Sequence, residues 1–142
     1  MSTRVSHVDD PDVGLVGEHG PVIAVIAAGG ALGSLARLGV STVLPHHGGF
    51  PLSTVLENVL GCFLLGALLV VLTELRRPHP LVRPFLGTGV LGGFTTFSTY
   101  AVDAVTRDSV GVAVLSVVLT LVLALAGSWA GVVTVRRIGG AR

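Results

Sequence analysis

The chain has 142 residues, 51% of them hydrophobic and only 12% charged, with a formal net charge of +1. Soluble domains carry about 25% charged residues, and here the apolar residues fall in long blocks, which excludes an ordinary globular domain and points to membrane spans. A single cysteine, Cys62, excludes a disulfide within the chain and any cysteine-built metal cluster, and reads as a small buried hydrophobe.

Residues 1–20 are polar, with Asp9, Asp10, Asp12 and Glu18 against Arg4 alone. That is not the basic start of a signal peptide, and the expectation is a disordered acidic tail. Four apolar blocks follow, at 21–44, 51–73, 81–102 and 110–135. A helix needs ~20 apolar residues to cross the hydrocarbon core, and each block meets that length. Short polar links at 45–51, 74–80 and 103–109 make neighbouring helices antiparallel. Residues 21–135 are therefore expected to form one all-α, four-helix transmembrane bundle, with 136–142 as a basic tail. A soluble bundle would show polar faces at helical spacing, whereas residues 110–135 hold no charge at all.

The first block carries Gly29, Gly30 and Gly33, a small-residue face for close helix contact. Arg37, toward its end, admits two readings: a charge snorkelling to the interface, or a fixed positive charge at the mouth of a pathway. In the second block Asn58 has both donors and acceptors, and Thr54 lies one turn earlier on the same face. Glu57 is adjacent and points about 100° away. At that depth it needs a partner such as Arg37, a proton or a wet cavity, and a proton-coupling role stays open.

The third block contains LGGFTTFSTY, residues 91–100. Gly92 and Gly93 make a poor helix interior, and Thr95, Thr96, Ser98 and Thr99 follow. A broken helix frees backbone carbonyls that can coordinate a cation, and in lipid it must be covered by protein or line a cavity. Phe94, Phe97 and Tyr100 recur every third residue, as a packing stripe or as rings facing a pathway. In the fourth block Ser116 and Thr120 are one turn apart; they either bond back to their own helix or extend a polar track. Trp129 reads as an interfacial or packing residue. Taken together, neutral amide and hydroxyl donors beside the positive edges of aromatic rings suit a small anion. They replace its water without a fixed charge that would trap it.

The segment GVLGGFTTFSTYAVD resembles the third-helix signature of the Fluc fluoride channels, the CrcB family. GGALGSLAR, with Arg37, is similar to the family's glycine-rich first helix, and STVLENVLGCFLLG to the pattern placing Asn58 three residues before Gly61. Thr120 falls where the family usually has serine, and Gly131 in its expected place. Only residues 1–20 lie outside the likeness. The resemblance implies passive fluoride export across a bacterial plasma membrane by an antiparallel dimer with two pores lined by both subunits. It places Phe97 and Tyr100 as the paired rings and Asn58, with Thr54 beside it, in the pore. Ser98, Thr120 and Ser116 complete the expected fluoride path, with Arg37 and Asp103 at the vestibule. It implies a structural Na⁺ on the carbonyls of Gly92 and Thr95. Three departures stand out: Tyr100 where phenylalanine is usual, Glu57 where an apolar residue is commoner, and Ser116 where a larger side chain is expected.

Two other classes compete. A proton-coupled exporter of the small multidrug resistance kind would use Glu57, and a non-conducting subunit would only complete another chain's pore. An enzyme is not expected, since no nucleophile–base pair or metal-ligand spacing is found, and no nucleic-acid partner is expected. All nine basic residues are arginine. With four spans, Arg4, Arg76, Arg77, Arg83, Arg136, Arg137 and Arg142 share one side, against Arg107 and, at most, Arg37 on the other. Arginine-rich loops stay cytoplasmic, so both termini are expected there. An antiparallel dimer then calls for an oppositely oriented paralogue, with an antiparallel homodimer as the alternative.

Overall fold

The computed structural model describes residues 11–44, 50–75, 78–106 and 108–140, and the side chains of residues 11–18 are not among what it describes. Arg4, Arg76, Arg77, Arg107, Arg142 and the histidine-bearing link at 45–49 lie outside the described residues. Every element among the described residues is helical. Helix α1 spans Pro11–Val43, and α2 spans Leu52–Val70, continued by a π-wound turn at Val71–Leu75. The third block is segmented. Its first part, α3, is π-wound over Pro84–Leu91 and α-helical over Gly92–Phe94, and α4 follows at Phe97–Val105. The last helix, α5, spans Val110–Gly139.

Two boundaries differ from the sequence expectation. α1 begins at Pro11 rather than near residue 21, so half of the stretch read as a tail is helical. Proline suits the first helical position, because its missing N–H would be unpaired there anyway. Pro21 sits inside the same helix. At the other end, Arg136 and Arg137 belong to the last turn of α5, where cations favour the helix C-terminus. α5 stops at Gly140, whose φ of 63° closes the helix in the left-handed conformation that glycine adopts without strain.

Among the described residues, three helical stretches are long and apolar enough to cross a membrane: His19–Val43, Leu52–Leu75 and Val110–Gly139, with mean hydropathies of 1.7, 2.4 and 2.6. The third block is not among them because it is divided into shorter segments.

The helices pack as two pairs. α1 lies along α3, and α2 along α5, while contacts between α1 and α2 are few. Both pairs rest on glycine. A methyl group at Gly33 would overlap the Val90 carbonyl, and one at Gly93 would overlap the Gly30 carbonyl. On the other pair, a methyl at Gly66 would overlap the Ser128 carbonyl, and one at Gly131 the Phe63 carbonyl. Helix backbones therefore touch, as small residues permit in lipid. Replacing Gly33 with Ala is expected to force α1 off α3 and lower stability by about 1–3 kcal/mol. Gly39→Ala, where a methyl meets nothing, should be neutral or slightly stabilising. Thermal unfolding of the two variants in detergent checks the contrast.

The chain's interior is unusually polar. Ser53, Thr54, Glu57, Thr96, Ser116 and Thr120 are buried, while Leu35, Leu64, Leu121, Leu125 and Trp129 are exposed. That inversion suits a bundle whose outer surface meets lipid. At one end Arg136 donates through Nε to both carboxylate oxygens of Glu74, each at 3.1 Å, tying α5 to the end of α2.

Candidate functional site

The third block changes direction at Thr95 and Thr96. Thr95 has ψ 158°, and Thr96 has φ −144° and ψ 122°, so both are extended between two helical segments. Sequence reading places the weak point at Gly92 and Gly93. Instead the chain stays helical through both glycines and leaves the helix after Phe94. Gly93 serves close packing against Gly30.

The interruption is held together by side chains. Thr96 is the N-cap of α4: its hydroxyl accepts from the Thr99 N–H at 3.1 Å and donates to the Thr99 hydroxyl at 3.0 Å. Asn58, on α2, grips the Thr96 backbone from both sides. Its Oδ1 accepts the Thr96 N–H at 3.0 Å, and its Nδ2 donates to the Thr96 carbonyl at 3.2 Å and to the Thr54 carbonyl at 3.0 Å. Both N–H bonds of the amide are thereby directed at carbonyls. Gly61, one turn on, leaves room for Thr95, whose Cγ2 would overlap a methyl there.

Beside the interruption lies an open groove of about 360 Å³. α2 contributes Asn58, Gly61 and Cys62; α3 and the extended pair contribute Leu91, Gly92, Thr95 and Thr96. Phe97 and Tyr100 come from α4, and Thr120, Leu121 and Ala124 from α5. The two rings have centroids 5.8 Å apart and are tilted by 42°. Phe97 is 80% exposed, while Tyr100 is half-buried and aims its hydroxyl at the Val117 carbonyl, 3.4 Å away. Cys62 is half-buried on the groove wall rather than fully enclosed.

Of the residues singled out in the sequence, Asn58, Phe97, Tyr100, Thr120, Gly92 and Thr95 share this groove. Thr54, Ser98, Ser116, Arg37 and Asp103 do not line it. Thr54 is buried and donates to Asp103 Oδ2 at 2.8 Å. Ser116 and Thr120 bond back to their own helix, Ser116 to the Ala113 carbonyl at 2.8 Å and Thr120 to the Ser116 carbonyl at 2.6 Å. Ser98 is exposed, 3.3 Å from the Thr96 hydroxyl. Arg37 reaches the Thr95 carbonyl from α1 at 3.5 Å. Glu57 accepts from Ser41 at 3.0 Å and is buried toward α1, on a separate apolar groove with Val40, Phe63 and Phe94.

Thr96 is the residue that sequence reading passes over. The signal was present: a threonine at the head of a helical run is a candidate N-cap. Its engagement with Asn58, 38 residues away, has no local signature.

Residues 24–132 match the family model described as CrcB-like protein, Camphor Resistance (CrcB). The chain belongs to the CrcB family. Among curated CrcB relatives it is 53% identical over 109 residues to the Fluoride-specific ion channel FluC 2 of Thermobifida fusca, covering 74% of this chain and 81% of that one. The Fluoride-specific ion channel FluC 1 of Streptomyces coelicolor is 58% identical over 85 residues, 59% of this chain and about half (55%) of that relative. The Fluoride-specific ion channel FluC of Cereibacter sphaeroides (strain ATCC 17029) is 45% identical over 116 residues, 78% of this chain and 91% of that one. The family match runs from Ala24 in α1 to Val132 in α5, the interruption and the groove included. With its apolar helices and channel relatives, this CrcB chain is a membrane protein.

Proposed function

We propose that this chain is a subunit of a passive, fluoride-selective channel that lowers cytoplasmic fluoride across a bacterial plasma membrane. The observation that carries the reading is the groove, where the Phe97–Tyr100 pair stands beside Asn58 and Thr120 at the interruption of the third span. The relatives named as fluoride-specific channels supply the ion. The groove is open on one side, which suits completion by a second, antiparallel chain. In this reading the third block is one broken span and the chain crosses the membrane four times, with lipid against the outward leucines.

A fluoride ion leaving water must exchange hydration for donors of moderate strength. Ring edges of Phe97 and Tyr100 offer positive potential without a full charge. The Thr120 hydroxyl lines the groove and can turn its proton toward a passing anion, exchanging one acceptor for another, while Ser98, Thr54 and Ser116, off the groove, would extend the path beyond it. Asn58 is different, because turning its amide outward would release the Thr96 backbone. We assign it to the wall of the path, holding the rings' helix in place. Arg37 and Asp103 flank the interruption, one on α1 and one on α4, as the charged groups of the vestibule.

The donor set also fits a structural cation, Na⁺ in this reading. The last carbonyls of a helix lack intrahelical partners, and Gly92 and Thr95, at the end of α3, both line the groove. Oxygen ligands without charge suit a hard monovalent ion. Gly92 and Thr95 of two chains would hold it, the Thr95 carbonyl through the lone pair not engaged by Arg37 at 3.5 Å, and its charge would balance their carbonyl dipoles where the chains meet.

Glu57 gives the exporter reading its carboxylate, but that residue lies on the α1 side, away from the rings and Asn58. Liposomes loaded with fluoride or chloride provide the test, with the chain reconstituted alone and with an oppositely oriented paralogue. Fluoride should leave at least a hundredfold faster than chloride, with no requirement for a pH gradient. Equal flux of the two ions, or fluoride flux only with a proton gradient, would overturn the proposal.

A further inference from the structure

In an unbroken α-helix each N–H bonds to the carbonyl four residues earlier. Thr95 still obeys this rule, donating to the Leu91 carbonyl at 3.0 Å. Thr96 is the next in line, and its helical acceptor would be Gly92. Its N–H goes instead to Asn58 Oδ1 at 3.0 Å. The Asn58 amide also bonds to the Thr96 carbonyl at 3.2 Å, so it pairs with Thr96 as a neighbouring strand would. Thr96 is 5% exposed, leaving its backbone little access to water. An amide proton so enclosed needs an acceptor; a continued helix would supply the Gly92 carbonyl, and here Asn58 Oδ1 supplies it instead. Gly92 itself is exposed to the groove, with no side chain to shield its carbonyl.

We propose that Asn58 is a positioning residue for the cation site: by capturing the Thr96 N–H it keeps the Gly92 carbonyl available to a hard monovalent cation. The inference rests on the cation reading given above. It links the pore wall to the cation through one side chain. Oδ1 governs the cation site, while Nδ2 secures the carbonyl side of the interruption. The two ends of the amide therefore have separable consequences.

The test is thermal unfolding of the full-length protein in detergent, in NaCl and in N-methyl-D-glucamine chloride at matched ionic strength. A ligand bound only by the folded state raises the unfolding temperature as its concentration passes the dissociation constant. For the native protein a Na⁺-specific rise of about 5 °C is expected at saturating Na⁺. Its absence would refute the cation reading and the inference with it. Asn58→Asp keeps an oxygen where Oδ1 stands, so the Na⁺-specific rise should persist. Asn58→Leu has no acceptor, and the Na⁺ concentration giving half the rise should increase at least tenfold, or the rise should vanish. A native Na⁺ response in Asn58→Leu would overturn the role of Asn58 and leave the cation reading standing. A folded Asn58→Asp protein that has lost the rise would overturn it as well. If Asn58→Leu yields no folded protein, Asn58→Ser, whose hydroxyl stops short of Thr96, is measured in its place and judged by the same outcomes. The comparison is between two salts for one protein, so a general loss of stability does not mimic the expected result.

Discussion

Asn58→Asp is expected to cut fluoride flux by about three orders of magnitude. A carboxylate on the groove wall would face the ion at ~4 Å, and at an effective dielectric near 20 the repulsion is about 4 kcal/mol. Each 1.36 kcal/mol on a barrier is about tenfold in rate. The substitution also reaches the fold. It removes both N–H donors, leaving the carbonyls of Thr54 and Thr96 opposite a negative oxygen. Two lost hydrogen bonds at about 1 kcal/mol each, with repulsion added, put the expected loss of stability at about 2–4 kcal/mol. Flux in liposomes and thermal unfolding in detergent read the two effects separately. Undiminished flux in a folded variant would remove Asn58 from the path. An unchanged unfolding temperature would show that the amide does not hold the interruption.

The second large effect concerns the partner. Reconstituted alone, the chain is expected to give at most a few per cent of the flux it supports with an oppositely oriented paralogue. Its arginines fall seven on one side against two on the other, counting Arg37 with the smaller group. A chain that inserts both ways would show near balance, because the arginine and lysine bias sets orientation. Four of those arginines lie outside the described residues on the rich side, at positions 4, 76, 77 and 142. A cysteine placed at position 142 in a Cys62→Ala background reports the orientation in intact cells. Labelling from the cytoplasmic face alone is expected. Comparable labelling from both faces, with full flux from the chain alone, would replace the heterodimer by an antiparallel homodimer.

The apolar blocks made three of the spanning stretches plain, because length and hydropathy alone decide them. The third block was legible as an interrupted one but not at the right residues. Glycine lowers helix propensity wherever it stands, whether the chain breaks there or a neighbouring backbone comes close. Gly93 belongs to the second case, and only the position of Gly30 reveals it. The site was half legible. Asn58, Phe97, Tyr100 and Thr120 line one groove. Arg37 was weighed as a partner for Glu57, yet its guanidinium reaches the Thr95 carbonyl. Spacing along one helix cannot say which neighbour a long side chain meets across another. The start of α1 was missed because acidic composition reads as tail, and a helix can have the same composition.

The pairing of α1 with α3, and of α2 with α5, has a consequence for biosynthesis. Neither pair is consecutive, so no helical hairpin can close as soon as its second member leaves the ribosome. α1 ends at Val43 and α3 begins at Pro84, a delay of a few seconds at about 5–20 residues per second. During that interval α1 and α2 must each rest in lipid without their final neighbour. Their unbroken apolar runs make this tolerable. α3, too short to hold the bilayer by itself, arrives when a glycine-faced helix is already waiting to receive it. α2 waits about as long for α5, from Val70 to Val110, and its buried Thr54 meets lipid or the translocation machinery until Asp103 of α4 reaches it. Insertion order is thus written into the helix pairing: two unbroken spans come first and the most apolar one last, and the interrupted one is laid down between them.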